Sequence, residues 1–272
     1  MSNSFTPSEY KAFQSYLEDA CGIVLGDNKH YLVSSRLSRL MQENNIPTLQ
    51  GLVDKLKSLS VSPLKTSVIE AMTTNETLWF RDAYPFKILN DVIFGEYKTK
   101  PSVKIWSAAC SSGQEPYSIS MIADEFNRAA SSSLRVNITA TDISQAIVRD
   151  AKEAKYDALA LARGLSDERK HRYFTQVGNQ WQVNADIRAR VNFRESNLLQ
   201  SYAPLGKFDA IFCRNVLIYF SAESKSDILN RMAQSLNPRG FLMLGASESI
   251  AQYCDAFEMV RVSTGVVYRL KA

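Results

Sequence analysis

The stretch from Val103 to Glu115, V-K-I-W-S-A-A-C-S-S-G-Q-E, constrains this chain more than any other. It reads as a buried strand, Val103 to Ala108, then a tight loop of small residues with a single glycine, Gly113, then a helix. Pro116 suits the first turn of that helix, where its missing N–H costs nothing. Ile119, Ile122, Ala123 and Phe126 follow the i, i+3, i+4, i+7 spacing of a core-facing stripe. A strand, a small-residue loop and a helix make the opening βα unit of a doubly wound nucleotide-binding sheet. Taken alone, the same pattern fits a purely structural βα turn equally well.

The 272 residues allow one large domain, or a large and a small one. A hydrophobic content of 45% and a charged content of 22% are those of an ordinary soluble globular protein. A net charge of +4 is too weak to argue for a nucleic-acid partner. Cys21, Cys110, Cys213 and Cys254 have no C-x-x-C spacing, and only His30 and His171 could assist them, so no metal site is expected. Free thiols in a reducing cytosol are the expectation. The start, M-S-N-S-F-T-P-S-E-Y, carries no apolar signal region, and no apolar run approaches the ~18 residues of a membrane span. A cytoplasmic protein without membrane insertion is therefore expected.

Thr6-Pro7-Ser8-Glu9 is a capping box with proline at the first helical position, leading into a face of Phe13, Tyr16, Leu17 and Ala20. A second helix, about Lys29 to Asn44, has Val33, Leu37, Leu40 and Met41 as its apolar stripe. Lys29, Arg36 and Arg39 lie on a neighbouring stripe, either a solvated basic face or a docking surface for an acidic partner. A third helix after Thr48 carries Leu49, Leu52, Val53, Leu56 and Leu59. A fourth, opened by Ser62-Pro63, carries Leu64, Val68, Ala71 and Met72. The expected division is an all-helical domain over 1–73, a connecting region over 74–98, and a sheet domain over 99–272. The connection comprises a linker or lid, T-T-N-E-T-L-W-F-R-D from Thr73 to Asp82, and a helix from Tyr84 to Phe94.

Further along, Arg135 to Thr141 reads as a second strand ending at Asp142, where a doubly wound fold places a carboxylate for ribose hydroxyls. Asp142 could equally cap the helix that follows, and the two roles can coexist. From about 156 to 190 the pattern loosens into an insertion. There Phe174–Val177 and Gln180–Val183 flank a Gly178-Asn179 hairpin turn, a partner site or mere decoration. Val191–Glu195 and Phe208–Cys213 are the next strands, followed by a helix from about Glu223 to Leu236. Asn237-Pro238-Arg239-Gly240 is read as a stop and turn before a strand from Gly240 to Gly245. Phe257–Val262 and Val266–Leu270 close the chain as a hairpin. A mainly parallel sheet ending in an antiparallel hairpin is the Rossmann-like α/β architecture of class I S-adenosylmethionine methyltransferases. The cofactor loop agrees, because a dinucleotide pyrophosphate calls for G-x-G-x-x-G and this loop has only Gly113.

W-S-A-A-C-S-S-G-Q-E-P-Y-S, A-T-D-I-S and F-D-A-I-F-C-R-N-V-L-I-Y-F, in this order and spacing, resemble the chemotaxis receptor methyltransferase (CheR) family. T-T-N-E-T-L-W-F-R is similar to that family's N-x-T-x-F-F-R segment, with Trp79 in place of the usual Phe. The resemblance spans essentially the whole chain. It implies transfer of a methyl group from S-adenosyl-L-methionine to chemoreceptor glutamates, giving γ-glutamyl methyl esters and S-adenosyl-L-homocysteine. By motif, it implies that Asn75, Thr77 and Arg81 sit at the cofactor and reacting carboxylate, with Glu115 at the methionine end and Asp142 at the ribose. Asn197 and Leu198 would flank the adenine, Arg214 and Asn215 would close the site, and Tyr219 would lie near the methyl group. Ala108 and Gly113 belong to the implied cofactor loop. The resemblance also implies that Lys29, Arg36 and Arg39 meet the cytoplasmic methylation helices of receptors. The inserted hairpin would be the β-subdomain that in some members grips a receptor tail by strand addition.

A glutamate carboxylate, with a pKa near 4.3, is ionised at neutral pH and needs no general base. The task is to hold one oxygen in line with the methyl group. Arg81 is the candidate to fix it, since a guanidinium binds a carboxylate bidentately. The alternative for Arg81 is an ion pair with an acid such as Asp82, and for Tyr219 a place in the core. Rival functions are a cofactor-binding regulatory module without transfer, a methyltransferase on another protein, an enzyme acting on nucleic-acid amino groups, and an NAD enzyme. Arg214-Asn215-Val216-Leu217 stands where nucleic-acid amino methyltransferases carry N-P-P-Y, which disfavours that rival.

Overall fold

The computed structural model describes residues 5–58 and 62–272. Helix α1 (Pro7–Cys21) starts at the capping box foreseen from the sequence: the Thr6 hydroxyl accepts from the Glu9 backbone N–H, and the Glu9 carboxylate accepts from the Thr6 N–H. It is followed by α2 (His30–Glu43), α3 (Leu49–Ser58) and α4 (Pro63–Met72), the last capped by the Ser62 hydroxyl. Their apolar stripes close on one another as a separate core of Phe13, Leu17, Val33, Leu37, Leu49, Leu52, Val53, Leu56, Val68 and their neighbours. Leu59, expected on the α3 stripe, lies outside the described residues.

Residues 73–83 carry no regular structure and lead into α5 (Tyr84–Ile88), a π turn (Leu89–Ile93) and α6 (Phe94–Tyr97). The alternating region then runs β1 (Ser102–Ala108), α7 (Gln114–Ala129), β2 (Arg135–Asp142), α8 (Gln145–Glu153), β3 (Lys155–Tyr156), α9 (Ala158–Ala162), α10 (Asp167–Tyr173), β4 (Phe174–Val177), β5 (Gln180–Val183), α11 (Ala185–Arg188), β6 (Val191–Glu195), β7 (Phe208–Cys213), α12 (Ala222–Gln234), β8 (Leu236–Leu244), β9 (Phe257–Val262) and β10 (Gly265–Leu270). The main sheet has the order β6-β2-β1-β7-β8-β10-β9. Its first five strands are parallel, and β10 and β9 are the antiparallel hairpin at one edge. β7 is buried along its length, as a central parallel strand covered on both faces must be, and its one polar residue, Asp209, accepts from the Lys104 N–H and the Asn237 side chain.

The expected insertion is present: β4 and β5 form the Gly178-Asn179 hairpin, and β3, which the sequence reading missed, adds a third strand. One expectation is corrected. Asn237 to Gly240 is not a turn before the strand. It lies within β8, which begins at Leu236, and the pairing jumps from Phe208–Leu236 to Ala210–Phe241. The extra residues are looped out as a bulge, with Arg239 at φ 60°. A Cβ on Gly240 would come within 2.9 Å of the Asn237 carbonyl oxygen, so the bulge demands glycine there.

The chain leaves β1 for β2 on one side and later returns to place β7 on the other. Ligands of open α/β sheets bind at such a reversal, beyond the carboxyl ends of the strands. The register aligns those ends: Ala108 lies opposite both Thr141 and Cys213, and Asp142 opposite Glu195. The segments that follow, 109–113, 142–144, 196–198 and 214–219, therefore converge on one edge.

Candidate functional site

A cavity of about 240 Å³ opens at that edge, roofed by the helical unit. Four contacts tie roof to floor. The Val24 N–H donates to the Tyr219 carbonyl (2.8 Å), and the Asn197 side chain donates to the Ala20 carbonyl (2.8 Å). Glu70 of α4 accepts from the Ser144 hydroxyl and the Ala146 N–H at the start of α8. Gly22, at φ 79°, lets the backbone lie so close to Phe220 that an added Cβ would sit 2.2 Å from its ring.

Of the residues singled out from the sequence, Asn75, Thr77, Arg81, Glu115, Asp142, Asn197, Leu198, Arg214, Asn215 and Tyr219 all line the cavity, as do Lys29 and Arg36. Ala108 and Gly113 do not. Ala108 is the buried last residue of β1, and Gly113 is the N-cap of α7, facing Ala151, Tyr156 and Phe193. The loop offers Ala109, Cys110 and Ser111 instead, with Ala109 at φ 54° and Ser111 at φ 50°. Left-handed backbone at non-glycine residues costs on the order of 1–3 kcal/mol each and persists only where its surroundings enforce it. The enforcement is visible: the Ser111 N–H donates to Asp142 Oδ2 (2.8 Å), and its hydroxyl donates to the Asn75 carbonyl (2.8 Å).

Asp142 does not cap α8; Ser144 does. Instead its carboxylate joins the ends of β1 and β2, accepting from the Ser111 and Ser144 N–H groups. Burial pushes its pKa up from the usual aspartate value, and the backbone N–H groups only partly offset this.

Of the three arginines lining the cavity, Arg81 and Arg214 are in opposite conditions. The Arg214 side chain is 2% exposed and fully engaged at its tip. It reaches Asp82 Oδ2 at 2.7 Å, Glu115 Oε2 at 2.9 Å and the Arg81 carbonyl at 2.7 Å. Glu115 also accepts from the Ser107 hydroxyl at 2.7 Å. Arg81, by contrast, makes one long bond, 3.5 Å, to the Glu76 carbonyl. Among the described residues no carboxylate pairs with it. The Asp82 partner expected as the alternative for Arg81 belongs to Arg214.

The basic stripe of α2 does not form a single free face. Arg36 turns inward, and its guanidinium donates to the carbonyls of Ala71, Met72 and Thr73 at the end of α4. Arg39 is exposed and pairs with Glu43 one turn on. Lys29 is the residue before α2, at the mouth of the cavity.

Trp79 is fully buried, edge-on to Tyr156 and Phe174, so the segment carrying Asn75 to Arg81 is anchored on the inserted sheet. Glu248 was not foreseen. Its carboxylate accepts from the N–H groups of Asn215, Val216, Ile218 and Gly245. An acid some thirty residues downstream of the loop it holds gives no sequence signal. Cys21 and Cys110 line the cavity as buried free thiols; burial pushes Cys21 up to about 11 and Cys110 well above its usual value. No cluster of metal-ligating side chains occurs among the described residues, and no described helix is long and apolar enough to cross a membrane.

The model of the CheR methyltransferase SAM-binding domain matches residues 75–266, and that of the CheR methyltransferase all-alpha domain matches residues 8–73. The chain is 51% identical over 269 residues to the chemotaxis protein methyltransferase Cher2 of Pseudomonas putida, covering 97% of this chain and 98% of that protein. It is 51% identical over 270 residues to chemotaxis protein methyltransferase 1 of Pseudomonas aeruginosa, covering 97% and 98%. To the chemotaxis protein methyltransferase of Salmonella typhimurium it is 32% identical over 265 residues, covering 94% and 88%.

Proposed function

The chain belongs to the CheR methyltransferase family, and from that premise we propose that it transfers a methyl group from S-adenosyl-L-methionine to glutamate side chains of chemoreceptors. The observation that carries this reading is the cavity wall, which gathers ten of the site residues named from the sequence at the carboxyl edge of the sheet. Its chemistry fits the cofactor. Glu115 and Asp142 offer acceptors to an amino group and to ribose hydroxyls, and the buried Asn215 side-chain oxygen has no partner of its own. Nothing in the loop resembles a pyrophosphate cradle.

In this reading Glu115, braced by Ser107 and Arg214, holds the methionine end, Asp142 holds the ribose, and Asn197 and Leu198 flank the adenine. Asn75, Thr77 and Asn215 complete the cofactor contacts. When bound, S-adenosylmethionine supplies an electrophilic methyl group. The Arg81 guanidinium, which no acid among the described residues engages, binds the substrate carboxylate and holds one oxygen toward the cofactor. Because that carboxylate is already ionised, Arg81 orients it and no residue has to remove a proton. Arg214 and Asp82 fix the backbone at Arg81. Tyr219 stands at the substrate end. The raised thiols of Cys21 and Cys110 stay protonated, so they do not compete as nucleophiles for the methyl group.

The reading assigns catalysis to the sheet domain and receptor docking to the helical one, at Lys29 and Arg39. Arg36 is withdrawn from docking by its bonds to α4. It places the enzyme in the cytoplasm, where receptor methylation helices lie. Edge strand β4 offers a place for a receptor tail to add. The test is transfer of labelled methyl to a receptor cytoplasmic fragment: base-labile label on glutamates supports the reading, and tight cofactor binding with no transfer points to a regulatory module.

A further inference from the structure

Downstream of β7 the backbone makes an unfavourable excursion. Asn215 stands at φ 58°, and the chain then enters a short 3₁₀ turn, Leu217–Tyr219, whose last residue faces the cavity. The turn's own bonds are few: Tyr219 N–H to the Val216 carbonyl and Phe220 N–H to the Leu217 carbonyl. What holds the excursion is Glu248. Its Oε2 accepts from Asn215 N–H at 2.7 Å and Gly245 N–H at 2.8 Å; its Oε1 accepts from Val216 N–H at 3.0 Å and Ile218 N–H at 3.4 Å. Two carboxylate oxygens provide about four acceptor sites, and four N–H groups use them. The fit leaves no spare room. A Cβ at Gly245 would lie 2.7 Å from Glu248 Oε2 and 2.9 Å from the Asn215 nitrogen.

We propose that Glu248 is a positioning residue of the methyl-transfer site, clamping residues 215–219 so that Asn215 and Tyr219 face the cavity. The proposal rests on the methyltransferase reading. It goes further in assigning the conformation of the substrate-end loop to one side chain that does not line the cavity. A carboxylate is required. The isosteric amide has one acceptor oxygen, and its NH₂ group would confront the N–H donors it replaces. The other proposed cofactor contacts, Asn75, Thr77, Glu115, Asp142, Asn197 and Leu198, lie outside the clamp.

The experiment compares wild type, Glu248→Gln and Gly245→Ala in two measurements. In amide hydrogen exchange, both variants should exchange the 215–218 amides at least about tenfold faster, with β7 amides unchanged. In methyl transfer to a receptor fragment, both should lose at least about tenfold in kcat, while the Kd for S-adenosylhomocysteine rises less than about threefold. Wild-type exchange and wild-type kcat in Glu248→Gln would overturn the proposal. So would a kcat loss matched by an equal loss of cofactor affinity or by faster exchange throughout the sheet, which would mark a merely structural role. Should Glu248→Gln fail to fold, Gly245→Ala is read against the same two criteria. An inactive wild type would instead remove the methyltransferase reading, while the exchange result would still report on the clamp.

Discussion

At the scale of the residue, the site distinguishes charges that hold the protein together from charges left for a ligand. Arg36 and Arg39 are three positions apart and do different work. Arg36→Ala leaves three carbonyls at the end of α4 without their donor and should cost about 1–3 kcal/mol in chemical denaturation. Arg39→Ala should fall within about 0.5 kcal/mol of wild type, as exposed i, i+4 pairs do. Equal effects would contradict the assignment. Asp142 carries a pH signature. Its folded pKa is raised above 3.8 by burial, so the folded state keeps a proton that the unfolded chain has released. Ionising it therefore costs stability as pH rises through the interval between the two values. On the proposed ribose contact, cofactor affinity runs the other way, since hydroxyls donate best to an ionised carboxylate. S-adenosylhomocysteine affinity should weaken as pH falls through that raised value, and Asp142→Asn should remove this dependence in a calorimetric titration. An acid limb that survives the substitution would assign it to another group.

At the scale of the element, the inserted sheet is more than decoration. Trp79 packs edge-on against Tyr156 of β3 and Phe174 of β4, its backbone N–H donates to the Arg163 carbonyl, and the Tyr156 hydroxyl donates to the Ser112 carbonyl beside Gly113. The insertion thus braces both the segment that carries Arg81 and the loop between β1 and α7. Trp79→Ala should cost about 3–5 kcal/mol, as large buried aromatics do. Gly164→Ala should also destabilise, because φ is 96° and the new Cβ would meet the Trp79 carbonyl oxygen at 2.1 Å. Thermal unfolding of the two variants checks both, and a wild-type midpoint in Gly164→Ala would refute the close approach. Elements whose cues are local were legible beforehand: the Thr6 capping box, the Gly178-Asn179 hairpin, and the strand, loop and helix around Gly113. The β8 bulge was not, because Asn237-Pro238-Arg239-Gly240 has the composition of a turn, and only pairing with β7 makes it part of a strand.

At the scale of the whole molecule, the cavity exists because the sheet's switch point supplies a floor and the helical unit supplies a roof. Cavity-lining residues came into view from the sequence where a motif carried them, as with Asn75, Thr77, Arg81, Glu115, Asp142, Arg214, Asn215 and Tyr219. What stayed hidden was who holds whom. That Arg214 takes Asp82 and Glu115, that Asn197 reaches back to Ala20, and that Glu248 clamps Asn215 all depend on approaches between distant segments. Those approaches leave Arg81 a cavity guanidinium with no acid partner among the described residues and a single long bond, on which the proposed mechanism centres. The most direct test is transfer of labelled methyl from S-adenosylmethionine to a receptor cytoplasmic fragment by wild type and by Arg81→Ala, with S-adenosylhomocysteine affinity measured on both. The account predicts base-labile glutamyl label with wild type, at least a ~100-fold loss of transfer in the variant, as misplacing a reacting group costs, and cofactor affinity largely retained. Normal turnover by Arg81→Ala would contradict it.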